Sequence, residues 1–276
     1  MTTYGPKTES LIADVVRTME RYGDKAIVTL QGVPGTGKSY IGSIAAQRFA
    51  QLPELVREVQ FHPAVSYEEF IEGLRIEGGG VATKPGIFLE WNDRALDDPH
   101  QQYVLLIEEL TRANLAAVLG ELMTYLEYRD RNFTTLYSRR PVSVMRNLVV
   151  LATYNPSDRS ALEVDNALLR RLRIIEFRPD VEQLTEMLRG TALSSSALNA
   201  LSAVFTVCER ASPHDFAYQM PFGHGIFAEV QSEADLCPLW VERIRHMLYR
   251  PLVRPHPYAE LISKAYPWQS PAYRAP

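Results

Sequence analysis

The chain has 276 residues, 46% of them hydrophobic, and its 29 basic and 33 acidic side chains leave a formal net charge of −4. That size holds one large domain or a core with a smaller companion. The apolar content excludes disorder, and the near balance of charge excludes a protein built chiefly to coat nucleic acid, leaving only a local basic patch open.

Cys208 and Cys237 are the only cysteines, too few for a disulfide framework in a chain of this length; they read as buried thiols of a reducing compartment. The N-terminus "MTTYGPKTES" has no basic-then-apolar leader pattern. No apolar run approaches the roughly 18 residues of a membrane span. The expected setting is soluble and cytoplasmic, with no membrane partner.

Taken in chain order, Leu11, Ile12, Val15, Val16 and Met19 recur at helical spacing. "AIVTLQ" (26–31) suits a buried parallel strand. "GVPGTGKS" follows and leads into a helix, "YIGSIAAQRFAQL". "LVREVQF" (55–61) reads as a second strand. "SYEEFIEGL" (66–74) reads as a short helix with Ser66 and Glu69 at capping-box spacing. "EGGGVATKPG" (77–86) is a glycine-rich excursion, a hairpin or a mobile loop, and "IFLEWNDRAL" is a helix. "YVLLIE" (103–108) is the third strand and "ANLAAVLGELMTYLEYRD" a single helix. Residues 133–145 alternate weakly, as a hairpin would. "NLVVLATYN" (147–155) is the fourth strand and "RRLRIIEF" (170–177) carries the fifth.

Strands alternating with helices give an α/β sheet covered on both faces. After Pro179 the pattern turns helical. The expected organisation is an α/β core over 1–180, a small helical subdomain over 181–250, and a Pro- and aromatic-rich tail over 251–276. Trp268 and Tyr273 lie in that tail, packed on the body or open to a partner.

Gly32, Gly37, Lys38 and Ser39 fit G-x-x-x-x-G-K-[ST] between a strand and a helix. The chemistry explains the pattern. Glycines let backbone N–H groups turn toward phosphates, Lys38 brings charge to the β- and γ-phosphates, and Ser39 offers a hydroxyl to Mg²⁺. The binding loop is expected to comprise Gly32, Val33, Pro34, Gly35, Thr36, Gly37, Lys38, Ser39 and Tyr40, with the helix N-terminus aimed at the anion.

The apolar run 104–107 ends in Glu108 and Glu109. A strand-end carboxylate supports the magnesium of P-loop NTPases, and a neighbouring glutamate can act as base for the attacking water. Glu108 is the expected metal carboxylate, with Ser39, and Glu109 the expected base. Aspartate is usual in the first place. The extra methylene of Glu108 requires it to sit farther back or to reach the ion through a different water.

The ordered motifs "GVPGTGKS", "QFHPAVSYEEFIEG" (60–73), "PGIFLEW" (85–91), "LLIEELTRANLAAVLGELMTYLE" (105–127), "LYSRRPVSV" (136–144), "LVVLATYNPSDRSALEVDNALLRRL" (148–172) and "PFGHGIFAEV" (221–230) resemble McrB-like AAA+ ATPases, within the wider group that includes MoxR-type proteins. The resemblance covers about residues 25–250. It implies an AAA+ P-loop domain, with a five-stranded parallel sheet and a small C-terminal helical subdomain, that hydrolyses ATP or GTP with Mg²⁺. It puts Asn155 at the sensor position near the γ-phosphate, with Asp158 completing an "MNxxD"-like motif. Arg170 and Arg171, after Asp165, Ala167 and Leu168, match an arginine pair that reaches a neighbour's nucleotide. The working form it implies is a homo-oligomeric ring, a hexamer. His62 and Tyr67 fall in a region that faces the pore of such rings, and His224 in a segment similar to "GHSYF", where nucleotide sensing is one role.

The chain departs from the McrB pattern at Thr111 (usually Asn), at Tyr154 (usually Met) and at Pro156, which is MoxR-like. The base is left open, with ATP favoured over GTP. The leading expectation is a ring NTPase that remodels or regulates a separate effector, a nuclease subunit of a restriction or phage-defence system. The alternatives are a MoxR-type chaperone maturing a partner enzyme and a nucleotide-dependent switch or scaffold with little turnover. Contact with nucleic acid is left open; Arg139 and Arg140 read first as a solvated hairpin tip.

Overall fold

The computed structural model describes residues 4–157, 166–250 and 253–270. They form two compact units. One comprises Glu9–Gln31 and Lys38–Ile175; the other comprises Gly32–Gly37 with the described parts of Met1–Thr8 and Glu176–Pro276.

The first unit is built from α1 (Pro6–Tyr22) from Glu9 on, β1 (Ile27–Gln31), α2 (Lys38–Ala50), β2 (Val56–Gln60), α3 (Tyr67–Phe70), β3 (Glu72–Glu77), β4 (Gly80–Pro85), α4 (Ile87–Asp97), β5 (Tyr103–Glu108), α5 (Leu115–Leu119), α6 (Leu122–Tyr125), β6 (Asn132–Thr134), β7 (Pro141–Ser143), β8 (Leu148–Tyr154), α7 (Asn166–Leu169) and β9 (Leu172–Glu176) up to Ile175. Five strands form one sheet in the order β2-β5-β8-β1-β9, and the pairs β2–β5, β5–β8 and β8–β1 are parallel. The order follows from composition. β1 and β8 are buried along their whole length and β5 up to Glu108, as apolar runs demand when both faces are covered. β2, with Arg57, Glu58 and Gln60, is only partly buried and takes the edge.

Three local readings are corrected by the structure. The helix expected over 66–74 stops at Phe70, whose ring packs edge-on against Phe61 at 5.2 Å and beside Phe88 at 5.9 Å. The chain then enters an antiparallel hairpin, β3–β4, around Gly78 and Gly79. Ser66 stands at the cap of α3 but its side chain makes no capping bond. The single helix expected from Ala113 is broken into α5 and α6, because Gly120 turns to φ 49°. Asn114 caps α5 by accepting from the Ala117 N–H. The weak alternation over 133–145 does form a hairpin, β6–β7.

Two buried charges fix the loops of this unit. Glu72 accepts from the Tyr137 N–H (2.6 Å), the Ser138 N–H (3.0 Å) and the Ser138 hydroxyl (2.6 Å). Burial pushes its pKa up, but these hydrogen bonds outweigh burial and leave it lowered. Tyr67 accepts from the Leu136 N–H and its hydroxyl faces Glu121 at 3.4 Å; burial raises its pKa to about 12. Tyr67 is therefore a packing residue on the β6–β7 turn. His62 is exposed, its Nδ1 accepting from the Ala64 N–H at 3.3 Å.

Arg129 is buried and donates to four carbonyls, those of Leu126 (3.3 Å), Met145 (2.7 Å), Leu148 (2.6 Å) and Gly23 (2.8 Å). Burial lowers its pKa to about 10, opposed by Asp24, so it stays charged at neutral pH.

The second unit contains α8 (Val181–Met187), α9 (Ser195–Ala211), α10 (Phe216–Gln219), α11 (Leu236–Leu239), a π-helical turn over Trp240–Ile244, α12 (Arg245–Leu248) and α13 (Ala259–Ala265). α9 turns Ala197, Leu201, Val204, Phe205 and Cys208 inward at three- and four-residue spacing, with Ser194 capping it. Of the two placements open to Trp268, the structure shows the packed one. Tyr258, Ile262, Tyr266 and Trp268 lie in the same core, with Trp240 stacked on Tyr266 at 5.3 Å and Trp268 edge-on to Tyr266 at 5.3 Å. Rings of this size bury on the order of 150–250 Å² each, more than an aqueous tail leaves unused. Tyr273 lies outside the described residues. Cys208 is buried, which raises its thiol to about 12, and Cys237 is half-buried; both are free. No described helix is long and apolar enough to cross a membrane.

Replacing Arg129 with methionine keeps an apolar stem but takes one donor from each of four carbonyls. A loss of about 3–5 kcal/mol is expected, read as a lower urea midpoint, and Arg129→Lys should recover only part of it.

Candidate active site

The parallel register sets the site. β1 runs beside β8 with Gln31 opposite Tyr154, and β5 runs beside β8 with Ile107 opposite Ala152. The next residues, Glu108 and Thr153, therefore emerge side by side, and Asn155 follows at the end of β8. Adjacent parallel strands deliver their functional groups at their carboxyl ends.

One oxygen of Glu108 takes two hydroxyl donors. The Ser39 hydroxyl lies 2.8 Å from Oε2, and the Thr153 hydroxyl donates to the same atom through a short hydrogen bond. Thr153 Oγ1 in turn accepts from the Glu109 N–H at 3.2 Å. The longer side chain of Glu108 thus reaches the Ser39 hydroxyl directly. Sequence alone does not single out Thr153. Its signal is a hydroxyl inside the otherwise apolar run "LVVLATY", at a position fully buried in the sheet.

Glu109 adopts φ 57°, ψ 46°. That left-handed conformation costs about 1–2 kcal/mol for a residue with a Cβ, and it turns the side chain out of the strand's alternation. The Glu109 carboxylate is partly exposed and lies 3.3 Å from Arg112 Nε. Thr111 is buried just after it.

Asn155 is buried, and its Oδ1 accepts from the Ser157 N–H at 3.0 Å, which fixes the amide's orientation. Beside it the Tyr154 hydroxyl donates to Gln31 Oε1 across the β8–β1 pair. Asp158 and Asp165 lie outside the described residues.

Gly32–Gly37 form the loop, with Gly35 at φ 78° and Gly37 at φ 85°. Val33 is buried, Pro34 and Gly35 are exposed, and the buried Thr36 donates its hydroxyl to the Val33 carbonyl at 2.9 Å. The chain continues into α2, whose first residues are the half-buried Lys38 and the exposed Ser39 and Tyr40. The first turn of a helix points its backbone N–H groups out of its N-terminus, where they suit an anion.

The two arginines differ. Arg171 is 6% exposed at its side chain, with Nε 3.4 Å from Glu127 Oε2, whereas Arg170 is 61% exposed, with a nitrogen 3.9 Å from the same oxygen. Sequence alone does not point to Glu127, which follows α6. Arg140 is engaged by Asp93, while Arg139 is exposed at φ 55°.

In the helical unit His224 is buried, and its Nδ1 accepts from the Asp180 N–H at 3.4 Å. Burial lowers its pKa to about 4, against the pull of Asp180, so the ring is neutral at pH 7.

A family profile described as "AAA domain (dynein-related subfamily)" matches residues 27–172. The chain is 35% identical over 205 residues, 70% of this chain and 43% of that protein, to the "Type IV methyl-directed restriction enzyme EcoKMcrB subunit" of Escherichia coli (strain K12). It is 25% identical over 209 residues, 58% of this chain and 61% of that protein, to the "Type II restriction enzyme BsuMI component YdiS" of Bacillus subtilis (strain 168). The chain spans less than two thirds of the length of either relative.

The His224 ring has a pH consequence. Its folded pKa lies below the unfolded value of 6.5, so the folded unit favours the neutral ring. That contribution is complete above pH 6.5 and is lost as pH falls toward 4, up to about 3 kcal/mol. Urea denaturation followed by tryptophan fluorescence in a Trp91→Phe background should show this slope, and His224→Gln should flatten it.

Proposed function

Because the chain belongs to the AAA domain (dynein-related subfamily) family and is a McrB-like AAA+ NTPase, we propose that it hydrolyses ATP, with GTP as the alternative base, and couples the cycle to a separate partner protein. The observation that carries this reading is the Glu108 carboxylate bonded to both Ser39 of the phosphate motif and Thr153, with Glu109 next in the chain.

Magnesium fits the donor set. A serine hydroxyl and a carboxylate are hard oxygen donors, which Mg²⁺ takes along with waters and substrate phosphates. Ser39 and Glu108 would hold it, and the ion would neutralise charge on the phosphates. Lys38 adds a second positive charge there, and the loop N–H groups cradle the oxygens. Glu109 accepts a proton from the attacking water, and the Asn155 amide orients that water. Thr153 positions both glutamates with one hydroxyl, donating to the Glu108 side chain and accepting from the Glu109 backbone.

Of the two arginines, Arg170 is the one able to serve a neighbouring subunit, because Arg171 is buried beside Glu127. An arginine supplied in trans is worth about 10³–10⁵ in rate, which makes a ring of identical subunits, a hexamer, the active form. The two relatives are named as a subunit and a component of restriction enzymes. By that analogy the proposed partner is a separate nuclease subunit in a defence system.

Mixed-oligomer complementation tests the reading. Turnover of ATP and GTP per subunit should climb with protein concentration, and Glu109→Gln and Arg170→Ala should each abolish it. An equal mixture of the two variants should regain part of it, since some sites then combine an intact Glu109 with a neighbour's Arg170. Mixtures that stay silent, or a wild-type rate independent of concentration, rule out the trans arginine. For the hydroxyl, Thr153→Val should raise the magnesium needed for half-maximal turnover by about 10–100-fold, with Thr153→Ser close to wild type.

A further inference from the structure

The phosphate loop is gripped from outside its own motif. The Gly223 N–H donates to the Pro34 carbonyl at 2.7 Å, and the Gly225 N–H donates to the Gly35 carbonyl at 2.7 Å. All four residues belong to the helical unit. The approach is so close that both donors must be glycine. A Cβ on Gly223 would sit 2.4 Å from the Gly35 oxygen and 2.5 Å from its carbonyl carbon; one on Gly225 would sit 2.8 Å from the same oxygen. These obstacles are backbone atoms, which cannot swing aside as a side chain does.

The gripping turn is itself anchored. Phe222 and Phe227, on either side of it, meet Phe205 and each other at 6.1–6.2 Å in the core of the unit. His224, between the two glycines, is buried against Asp180. On the loop's side, Val33 is part of the same core.

Peptide geometry gives the grip a consequence. In a planar trans peptide the N–H points opposite to the C=O. The Pro34 carbonyl shares its peptide with the Gly35 N–H, and the Gly35 carbonyl shares its peptide with the Thr36 N–H. Holding those two carbonyls toward Gly223 and Gly225 therefore turns the Gly35 and Thr36 N–H groups to the other side. We propose that the Phe222–Phe227 turn is a clasp that presents the phosphate loop's N–H groups to the nucleotide, with Gly223 and Gly225 as positioning residues. The anion they prepare for is the polyphosphate of a nucleoside triphosphate. This rests on the functional reading above and deepens it.

The test uses the full-length protein with Gly223→Ala and Gly225→Ala. Each variant should bind 2′/3′-N-methylanthraniloyl ATP and GTP at least about 10-fold more weakly. KM should rise by more than kcat falls, because the loss is in ground-state phosphate binding. The circular-dichroism melting curve should stay cooperative. Hydrogen exchange without nucleotide should show slow amides at Gly223 and Gly225 in the wild type, and a faster Gly225 amide in Gly223→Ala. A variant that binds both nucleotides like the wild type, or wild-type amides that exchange at unprotected rates, overturns the clasp. If the wild type binds neither nucleotide, the functional reading fails. The exchange measurement needs no nucleotide and decides the clasp separately, including when a variant fails to fold.

Discussion

The register between β5, β8 and β1 is the constraint on which the site depends. A strand shifted by one residue turns every side chain to its other face. Three neighbouring strands, each buried along nearly all its length, cannot slip without exposing that apolar surface. The acidic pair, the Thr153 hydroxyl and Asn155 therefore end up at one edge because apolar runs elsewhere in the strands are locked. Their chemistry plays no part in choosing the register.

Within that edge, Glu108 stands where aspartate is usual, and two hydroxyls hold its longer arm. Its carboxylate reaches the Ser39 hydroxyl, and Thr153 restrains it from the neighbouring strand. A hydroxyl is suited to this place because it donates and accepts at once. Valine would pack as well in the sheet but would leave the Glu108 side chain and the Glu109 N–H without their shared partner. The left-handed backbone of Glu109 is the complementary device: it ends the strand and separates the directions of two consecutive carboxylates.

The strands and the phosphate motif were legible in the sequence because both are local patterns. An apolar run or a glycine spacing announces itself within ten residues. Thr153 was not, since one threonine in a strand is ordinary until the register sets it beside Glu108. The difference between Arg170 and Arg171 was also hidden. Both read as a basic pair, and only a glutamate some forty positions earlier, Glu127, separates the buried member from the exposed one. The broken helix at Gly120 and the short α3 fail for the opposite reason. Helical periodicity was present locally, and a positive φ in one case and an aromatic cluster in the other overrode it. The placement of Trp268 stays open in the sequence because proline suggests an extended chain, while the free energy of burying Tyr266 and Trp268 acts through residues far away in sequence.

The buried charges follow one rule. Loops that enter a core bring backbone groups without ladder partners, and each must be satisfied. Arg129 answers loops that present carbonyls, and Glu72 answers a turn that presents N–H groups. Each ion is compensated by several dipoles in place of one countercharge, which limits its desolvation cost. Both grip the same stretch of chain. Glu72 holds the turn of the β6–β7 hairpin at Tyr137 and Ser138, and Arg129 holds Met145 and Leu148 where that hairpin leads into β8. The strand that carries Thr153 and Asn155 is thus approached through a segment pinned at both ends. The carboxyl end of β8 inherits that rigidity from Glu72 and Arg129.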